Sequence, residues 1–204
     1  MTGTDLEETD LMPATGKKRK EYNEAMVIGP EKLLELVKSI RLVEGLSKRE
    51  LTNPEGAGFD LRLGEVYSIG GDAFLGETER KTAEINLIQE YKAKEKRIVI
   101  IQPGEFYLTK TIETVNMPNN LTASITPRST TYRSGLMVRT GNVPPGYNGG
   151  LTFGLFNAGP VNVTIEMGAR FVHIQFHEVL GEGNMYRGQW QGGRVTATKK
   201  ETQV

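Results

Sequence analysis

The chain contains no cysteine, which excludes disulfide bonds, thiolate-bound zinc and thiol nucleophiles. Neither sign of charge is in excess, because 25 basic and 25 acidic residues give a net charge of zero. Proteins that bind duplex nucleic acid or an anionic membrane attract phosphate groups with a basic surface. We therefore expect neither a nucleic acid nor a membrane as a partner.

Long apolar segments are also lacking. No run approaches the length that crosses a membrane, and the N-terminus has no apolar signal-peptide region. These absences predict a soluble, cytoplasmic protein. Residues 1–25 are polar and charged, with four consecutive basic residues at 17–20. We expect a mobile N-terminal tail there rather than a nucleic-acid contact.

Glycine is abundant, with 24 residues, and the apolar residues follow short periods. Residues 121–126 and 161–165 alternate as half-buried strands do, and 97–101 is a continuous apolar run that predicts a strand buried on both faces. The charge-rich stretch 77–96 is typical of an inserted surface hairpin or short helix. We predict one mainly β domain over 26–185, a sandwich or distorted barrel.

One helix is expected before the strands. Apolar residues at helical spacing favour an amphipathic helix over 31–44, with Pro30 in its first turn and Gly45 at its end. Such a helix packs on the barrel or on a neighbouring subunit.

The stretch 126–159 carries the clearest chemical signal. Arg128, Ser129 and Arg133 precede a hairpin rich in proline and glycine at 144–149. Guanidinium groups and hydroxyls match phosphate oxygens, and a glycine-rich hairpin can bring backbone groups up to a base. The ring of Tyr147 can lie against a sugar. Together these residues indicate a nucleotide pocket.

Five motifs occur in series between residues 28 and 196 and resemble those of the trimeric dUTPase and dCTP deaminase superfamily. They are Gly56-Ala57-Gly58-Phe59-Asp60-Leu61-Arg62-Leu63-Gly64, Pro103-Gly104-Glu105-Phe106, Pro127-Arg128-Ser129 with its continuation to Leu136, the hairpin, and Gly168-Ala169-Arg170-Phe171. The layout is most similar to the deaminase branch. The resemblance implies a jelly-roll-like barrel, a homotrimer and pockets shared between subunits.

The same resemblance implies a role for individual residues. Arg128, Ser129 and Arg133 would bind the phosphates of a deoxynucleoside triphosphate. The backbone of Gly141, Asn142 and Val143 would contact the base, and Tyr147 would stack on the deoxyribose. Asp60 would help to order a hydrated Mg²⁺ ion through water; the alternative is a turn carboxylate that accepts backbone N–H bonds.

Residues 186–204 resemble the C-terminal arm that folds over the triphosphate in the deaminases. Gln191 matches a residue of the arm motif, while Gln189 stands where the family has a lysine. Arg187 or Arg194 would then supply the missing positive charge for the phosphates. A disordered basic tail is the alternative.

Two departures concern catalysis. Pro144 aligns with the aspartate that activates water in the diphosphatases, and Gly154 aligns with the glutamate that shuttles protons in the deaminases. Neither residue can carry a proton. The sequence therefore leaves three possibilities: a nucleotide-binding protein, an enzyme whose general base has moved, with Glu166 or Glu178 as the nearest carboxylates, or a trimeric scaffold.

The two histidines, His173 and His177, are four residues apart on a predicted strand. At the usual rise of a strand their Cβ atoms lie about 13 Å apart, which makes a shared metal ion improbable. We expect both to have structural roles on the face opposite Val172, Ile174 and Phe176.

Overall fold

The computed structural model describes residues 27–181 and 183–202. Its helices are α1 (Pro30–Ile40), α2 (Lys48–Thr52) and α3 (Ser129–Arg133). Its strands are β1 (Val43–Glu44), β2 (Phe59–Gly70), β3 (Phe74–Leu75), β4 (Glu79–Lys81), β5 (Glu84–Glu90), β6 (Ile98–Ile101), β7 (Phe106–Asn116), β8 (Leu121–Pro127), β9 (Leu136–Arg139), β10 (Asn148–Asn157), β11 (Val163–Glu166), β12 (Arg170–Glu178) and β13 (Glu201–Thr202).

The main sheet is antiparallel, with the strand order β8-β12-β2-β7-β10-β9. Strand β1 extends it beside β7 and β5 beside β2. Its two ends approach each other, because α3 joins β8 to β9 and Ala123 forms an antiparallel bridge with Val143. The predicted fold, a mainly β, jelly-roll-like distorted barrel with an N-terminal helix, is confirmed. Two small sheets, β6 with β11 and β3 with β4 and β13, accompany it.

The barrel interior is filled from alternate strand positions. Val172, Ile174 and Phe176 of β12 are fully buried, as their spacing predicts. Leu33 of α1 is also fully buried and packs on the same core. The helix therefore covers the barrel of its own chain.

Helix α1 begins where Pro30 predicts but ends four residues before the predicted boundary. Arg41 adopts a left-handed conformation with φ 54°, and its N–H donates to Leu36 O. The chain then turns, and Val43 and Glu44 pair with β7 as strand β1. Because Val43 and Glu44 pair with the barrel, the last turn of the predicted helix does not form.

One further sequence prediction needs correction, and one of two alternatives is excluded. The run 97–101 is buried on one face only, since Val99 and Ile101 are buried while Ile98 and Ile100 are about half exposed. The reason is that β6 pairs with β11 in a two-stranded sheet. The insertion 77–96 contains no helix: its strands β4 and β5 pair with β3, β13 and β2.

The predicted tail, residues 1–25, lies outside the described residues. Within 27–181 and 183–202, no helix combines the length and the apolar character needed to cross a membrane.

Candidate functional site

The hairpin forms a tight turn that opens onto a cavity. Tyr147 N donates to Pro144 O (3.3 Å) across a turn in which Gly146 has φ +77°, a value that favours glycine. Gly146 N and Tyr147 O are both bonded to the backbone of Met117, which fixes the turn on the barrel. The cavity, here called the hairpin cavity, has a volume of about 380 Å³.

The hairpin cavity brings together the residues that the resemblance assigned to the base and the sugar. Gly141, Asn142, Val143 and Tyr147 all line it, and so does Pro144. Apolar side chains supply most of the remaining wall: Leu108, Ile125, Leu151, Phe153, Tyr186, Trp190 and Val195. A concave, mainly apolar cavity with a few polar groups is the usual form of a small-molecule site.

Tyr147 is held rigidly in this wall. Its hydroxyl donates to Gly150 O at 2.7 Å, and its ring contacts the ring of Tyr186 edge to face at 5.4 Å. Burial raises the pKa of Tyr147 to about 12. The side chain therefore stays neutral and presents a fixed aromatic edge to the cavity.

The C-terminal segment folds against the hairpin of its own chain. Tyr186 N donates to Pro145 O at 2.7 Å. The Gln191 amide accepts from Asn148 N (3.0 Å) and donates to Gly146 O (2.9 Å). Residues 183–202 thus lie as an arm against the hairpin, and the amide of Gln191, expected at the phosphates, binds the hairpin.

Two glycine backbones meet where the arm crosses the hairpin. Gly149 has φ +133°, and a Cβ there would lie 2.2 Å from Gly193 N. Only glycine allows this approach.

Arg194 also lines the hairpin cavity, but its guanidinium is paired within the arm. It donates to both carboxylate oxygens of Glu201 (2.5 and 3.1 Å), and its Nε donates to Thr196 O (2.9 Å). Glu201 belongs to β13, which pairs with β4. This pair holds the end of the arm on the inserted strands.

A buried ionic cluster surrounds Asp60 on another part of the barrel. Asp60 is 3% exposed and forms an ion pair with Arg128. It also accepts from Arg170 Nη1 (2.9 Å), and His173 Nδ1 lies 3.0 Å from its other carboxylate oxygen. We call these four residues, together with Arg49 and Glu50, the Asp60 cluster. Sequence reasoning placed Asp60 in a turn or at a hydrated metal, whereas the residue lies inside β2 with its carboxylate bonded to cations.

Glu50 completes the Asp60 cluster. Its side chain is fully buried, accepts the N–H of Asp60 at 3.1 Å, and forms an ion pair with Arg49 at 2.5 Å. Burial, followed by the charge of Arg170, lowers the pKa of Arg128. Burial also lowers the pKa of His173, so its imidazole is neutral near pH 7.

Protein ligands for a metal ion are not grouped in the described part of the chain, where no three His, Asp or Glu residues are placed to hold one. The Asp60 carboxylate, the one candidate from the sequence, is occupied by protein cations. These residues therefore do not form a protein-ligated metal centre.

A second cavity, of about 270 Å³, lies beside the Asp60 cluster and is lined by Ser129, Arg128, Thr126 and His173 among others. We call it the Ser129 cavity. Ile125, which lines the hairpin cavity, immediately precedes Thr126 on β8. Consecutive side chains of a strand point to opposite faces, so one strand separates the two cavities within a chain.

Arg133 is exposed at the end of α3, so it does not join Arg128 in the Asp60 cluster. Glu166 is half exposed and lies 3.5 Å from Lys96, and Glu178 is exposed at the end of β12. Neither glutamate lines the hairpin cavity or the Ser129 cavity.

Gly154 lies on β10 under an aromatic ring. A Cβ on Gly154 would meet the Phe106 ring at 2.9 Å and Arg139 Cβ at 3.4 Å. The ring of Phe106 thus fills the space into which a longer side chain at this position would project.

The two histidines occupy the face of β12 opposite Val172, Ile174 and Phe176, as predicted. His177 Nε2 lies 2.9 Å from Ser124 Oγ, and His173 contacts Asp60. They bind different partners.

Sequence reasoning missed Arg49, Glu50 and Arg170 as members of the Asp60 cluster. Arg170 stands in the motif at 168–171, which was the available signal. Arg49 and Glu50 lie in α2, where no motif marks them.

Comparison with known proteins places this geometry in a family. Residues 29–179 match the family model described as dCTP deaminase-like. The chain is 32% identical to the dCTP deaminase of Thermococcus kodakarensis over 160 residues, covering 78% of this chain and 90% of the relative. It is 32% identical to a probable deoxyuridine 5′-triphosphate nucleotidohydrolase of Methanothermobacter thermautotrophicus over 142 residues, covering 70% and 89%.

A solved structure supports the fold. The 2′-deoxycytidine 5′-triphosphate deaminase of Agrobacterium tumefaciens superposes with a TM-score of 0.60 at 16% identity. The match covers 76% of this chain and 49% of that one, so the chain spans about half the length of that structure. From the family match, the sequence relatives and the shared barrel, the chain belongs to the dCTP deaminase-like family, within the dUTPase and dCTP deaminase superfamily.

Proposed function

We propose that the protein binds a deoxypyrimidine nucleoside triphosphate, dUTP or dCTP, and acts in deoxyuridine nucleotide metabolism. The observation that carries this proposal is the hairpin cavity, whose wall contains all the residues expected at the base and the sugar. The names of the relatives, deaminases of dCTP and a hydrolase of deoxyuridine triphosphate, support the same ligand class.

Tyr147 is the residue we assign to sugar selection. Its ring is fixed by the bond to Gly150 O and by Tyr186, so it cannot move away from an added 2′-hydroxyl. Backbone groups of Gly141, Asn142 and Val143 would read the base edge.

The separation of the two cavities supports an assembly in which sites are shared between chains. Arg128 and Ser129 lie across β8 from the hairpin cavity of their own chain. A nucleotide whose base occupies the hairpin cavity would therefore meet these residues, and the exposed Arg133, on a neighbouring copy. We propose a homotrimer with three such shared sites, which agrees with closed cyclic symmetry as the common form of soluble oligomers.

We propose that this chain retains nucleotide binding but lacks the general base that catalysis needs. No aspartate or glutamate is among the described residues that line the hairpin cavity. Pro144 stands in that wall, and Phe106 covers Gly154. A positioned general base contributes about 10²–10⁴-fold in rate, and we assign no residue here to that role.

The arginines can still orient a triphosphate, because guanidinium groups bind phosphate oxygens in fixed directions. Mg²⁺ would accompany the triphosphate on its phosphate oxygens and neutralise part of their charge. An active deaminase or diphosphatase with a relocated base is the second candidate, and a trimeric scaffold without ligand is the third.

Calorimetric titration tests the proposal. The protein is titrated with dUTP, dCTP, dTTP and UTP, each with Mg²⁺, and the mixtures are then analysed for dUMP, dUTP and pyrophosphate. We expect dUTP or dCTP to bind, UTP to bind more weakly, and product to form slowly or not at all. Absence of binding by every nucleotide would leave the scaffold, and rapid product formation would establish the enzyme.

A further inference from the structure

One polar side chain in the wall of the hairpin cavity, that of Thr152, has an unused hydrogen-bonding group. Thr152 lies on β10, two residues before Gly154, and lines the cavity. Its Oγ1 atom is buried and has no hydrogen-bond partner among the described residues. Buried hydroxyls are nearly always bonded in native proteins, and an unpaired one costs free energy. An unpaired hydroxyl beside a cavity therefore indicates a group that a ligand would satisfy.

The other polar side chains of this wall already have partners. Tyr147 and Arg194 are held by the bonds described above, and Thr82 Oγ1 accepts a backbone N–H at 2.8 Å. Asn142 is exposed, so water can bind its amide. Within the described part of the wall, Thr152 thus combines a buried polar atom with the absence of a hydrogen bond.

Strand register places Thr152 beside the residues that we assign to the base. Strands β9 and β10 are antiparallel, and their pairing ends with Arg139 opposite Gly154. Continued by two residues, the same register sets Gly141 opposite Thr152. Both residues line the hairpin cavity, which therefore opens where the two segments are no longer paired. A base whose edge meets the backbone of Gly141 would lie next to Thr152.

The hydroxyl of Thr152 would reach such a ligand by rotation about the Cα–Cβ bond. The oxygen is buried, whereas the residue as a whole is partly exposed. A side chain of this type has three staggered positions, and two rotamers are common in strands. Since no described residue bonds the hydroxyl in its present position, the rotation breaks no hydrogen bond within that part of the chain.

We propose that Thr152 is a base-recognition residue, whose hydroxyl forms a hydrogen bond with the polar edge of a pyrimidine bound in the hairpin cavity. The inference rests on the proposed function for the nature of the ligand. A hydroxyl both donates and accepts, so it can bind the amino group of cytosine or the carbonyl group of uracil. It therefore serves either of the two proposed ligands.

This role predicts opposite effects on the free protein and on the complex. Thr152→Val removes the hydroxyl and keeps a side chain of similar shape. In the free protein the variant loses an unpaired buried polar group, so its stability should rise. In the complex the base loses a hydrogen bond, so its affinity should fall. A threonine with a purely structural role would give lower stability and unchanged binding.

The test compares Thr152→Val and Thr152→Ser with the parent protein. Thr109→Val is the matched control, because Thr109 is fully buried on the neighbouring strand β7 and its hydroxyl donates to Phe153 O at 3.3 Å. Urea unfolding should give a higher midpoint for Thr152→Val and a lower one for Thr109→Val. By calorimetry, the affinity for dUTP or dCTP should fall about three- to tenfold in Thr152→Val, as for loss of one neutral hydrogen bond. Thr152→Ser and Thr109→Val should bind like the parent.

A ligand without the 3′-hydroxyl, 2′,3′-dideoxyuridine triphosphate, separates the base from the sugar. The loss in Thr152→Val should persist with this ligand; a loss that disappears would assign the contact to the sugar and overturn the inference. Unchanged affinity or a lower unfolding midpoint in Thr152→Val, or an equal loss of affinity in Thr152→Ser or Thr109→Val, would also overturn it, while the proposed function stands. If the parent binds no nucleotide, the proposed function fails, and base recognition by Thr152 fails with it.

Discussion

Arg128 and Asp60 form an ion pair within one chain, although the resemblance of the sequence assigned one to phosphate and the other to a metal. Arg170 and His173 bind the same carboxylate. Arg128 is thereby fixed in direction while some of its five N–H donors stay available. Phosphate bound at the Ser129 cavity would meet a guanidinium that is already positioned.

The Asp60 cluster should be important for stability. Asp60→Asn leaves Arg128 and Arg170 without their shared carboxylate, and breaking a buried ion pair from one side costs roughly 3 kcal/mol or more. Urea unfolding should show a loss near that lower figure, because the two arginine side chains are 23% and 33% exposed. Glu55→Gln is the matched control, since Glu55 pairs with Arg49 at the surface and should cost less than about 1 kcal/mol. Equal losses would contradict the central place of Asp60.

The neutral imidazole of His173 predicts a pH effect. Its pKa in the folded protein is lowered from 6.5, so the unfolded chain takes up a proton first as the pH falls. Stability should therefore decrease below about pH 6.5 and reach its full loss once the pH passes below the lowered value. The free energy of unfolding is measured from pH 7.5 to 5.0 in the parent and in His173→Gln. The difference between the two curves should shrink toward low pH, and a constant difference would contradict the shift.

A carboxylate introduced at Gly154 should raise dCTP deamination only if the neighbouring ring of Phe106 leaves room for it. In Gly154→Glu the new side chain meets the Phe106 ring, so we expect dCTP deamination to appear in Gly154→Glu combined with Phe106→Ala and less in Gly154→Glu alone. If the parent lacks a general base, as proposed, the gain should be about 10²–10⁴-fold over its rate. Gly154→Gln with Phe106→Ala is the control that changes the shape in the same way without adding a carboxylate that transfers a proton.

Pro144 aligns with the aspartate of the diphosphatases, so Pro144→Asp should raise dUTP hydrolysis. Rapid turnover in the parent would show that another base already acts.

The proposed sharing of sites between chains predicts complementation. Light scattering at micromolar concentration should give three chains. Arg128→Ala and Tyr147→Ala should each bind dUTP weakly, because one lacks a phosphate contact and the other a sugar contact. Subunit exchange between them should produce some sites with both residues intact and recover part of the binding. A monomer, or mixtures that bind no better than the separate variants, would exclude the shared site.

Candidate residues that are close together in the sequence also lie close together in the structure. The hairpin residues Gly141, Asn142, Val143 and Tyr147 lie in one short stretch, and the structure places them in one cavity. The turn chemistry of proline and glycine determines their geometry locally, so a motif is sufficient to find it.

The Asp60 cluster shows the limit of such reasoning. Arg49, Asp60, Arg128 and Arg170 come from α2, β2, the start of α3 and β12. The pairing of β2 with β12 and of β12 with β8 brings Asp60, Arg128 and Arg170 together, and no local pattern encodes that register. Competition from strand pairing also explains the early end of α1. Long-range contacts therefore decided the features that the sequence did not predict.

Where Gly149 and Gly193 meet, backbone atoms rather than side chains determine how closely the arm approaches the hairpin. Two backbones meet at the crossing point, and a side chain at Gly149 would collide with Gly193 N. A side chain at Gly149 would therefore shift the arm as a whole, together with the arm residues that line the hairpin cavity.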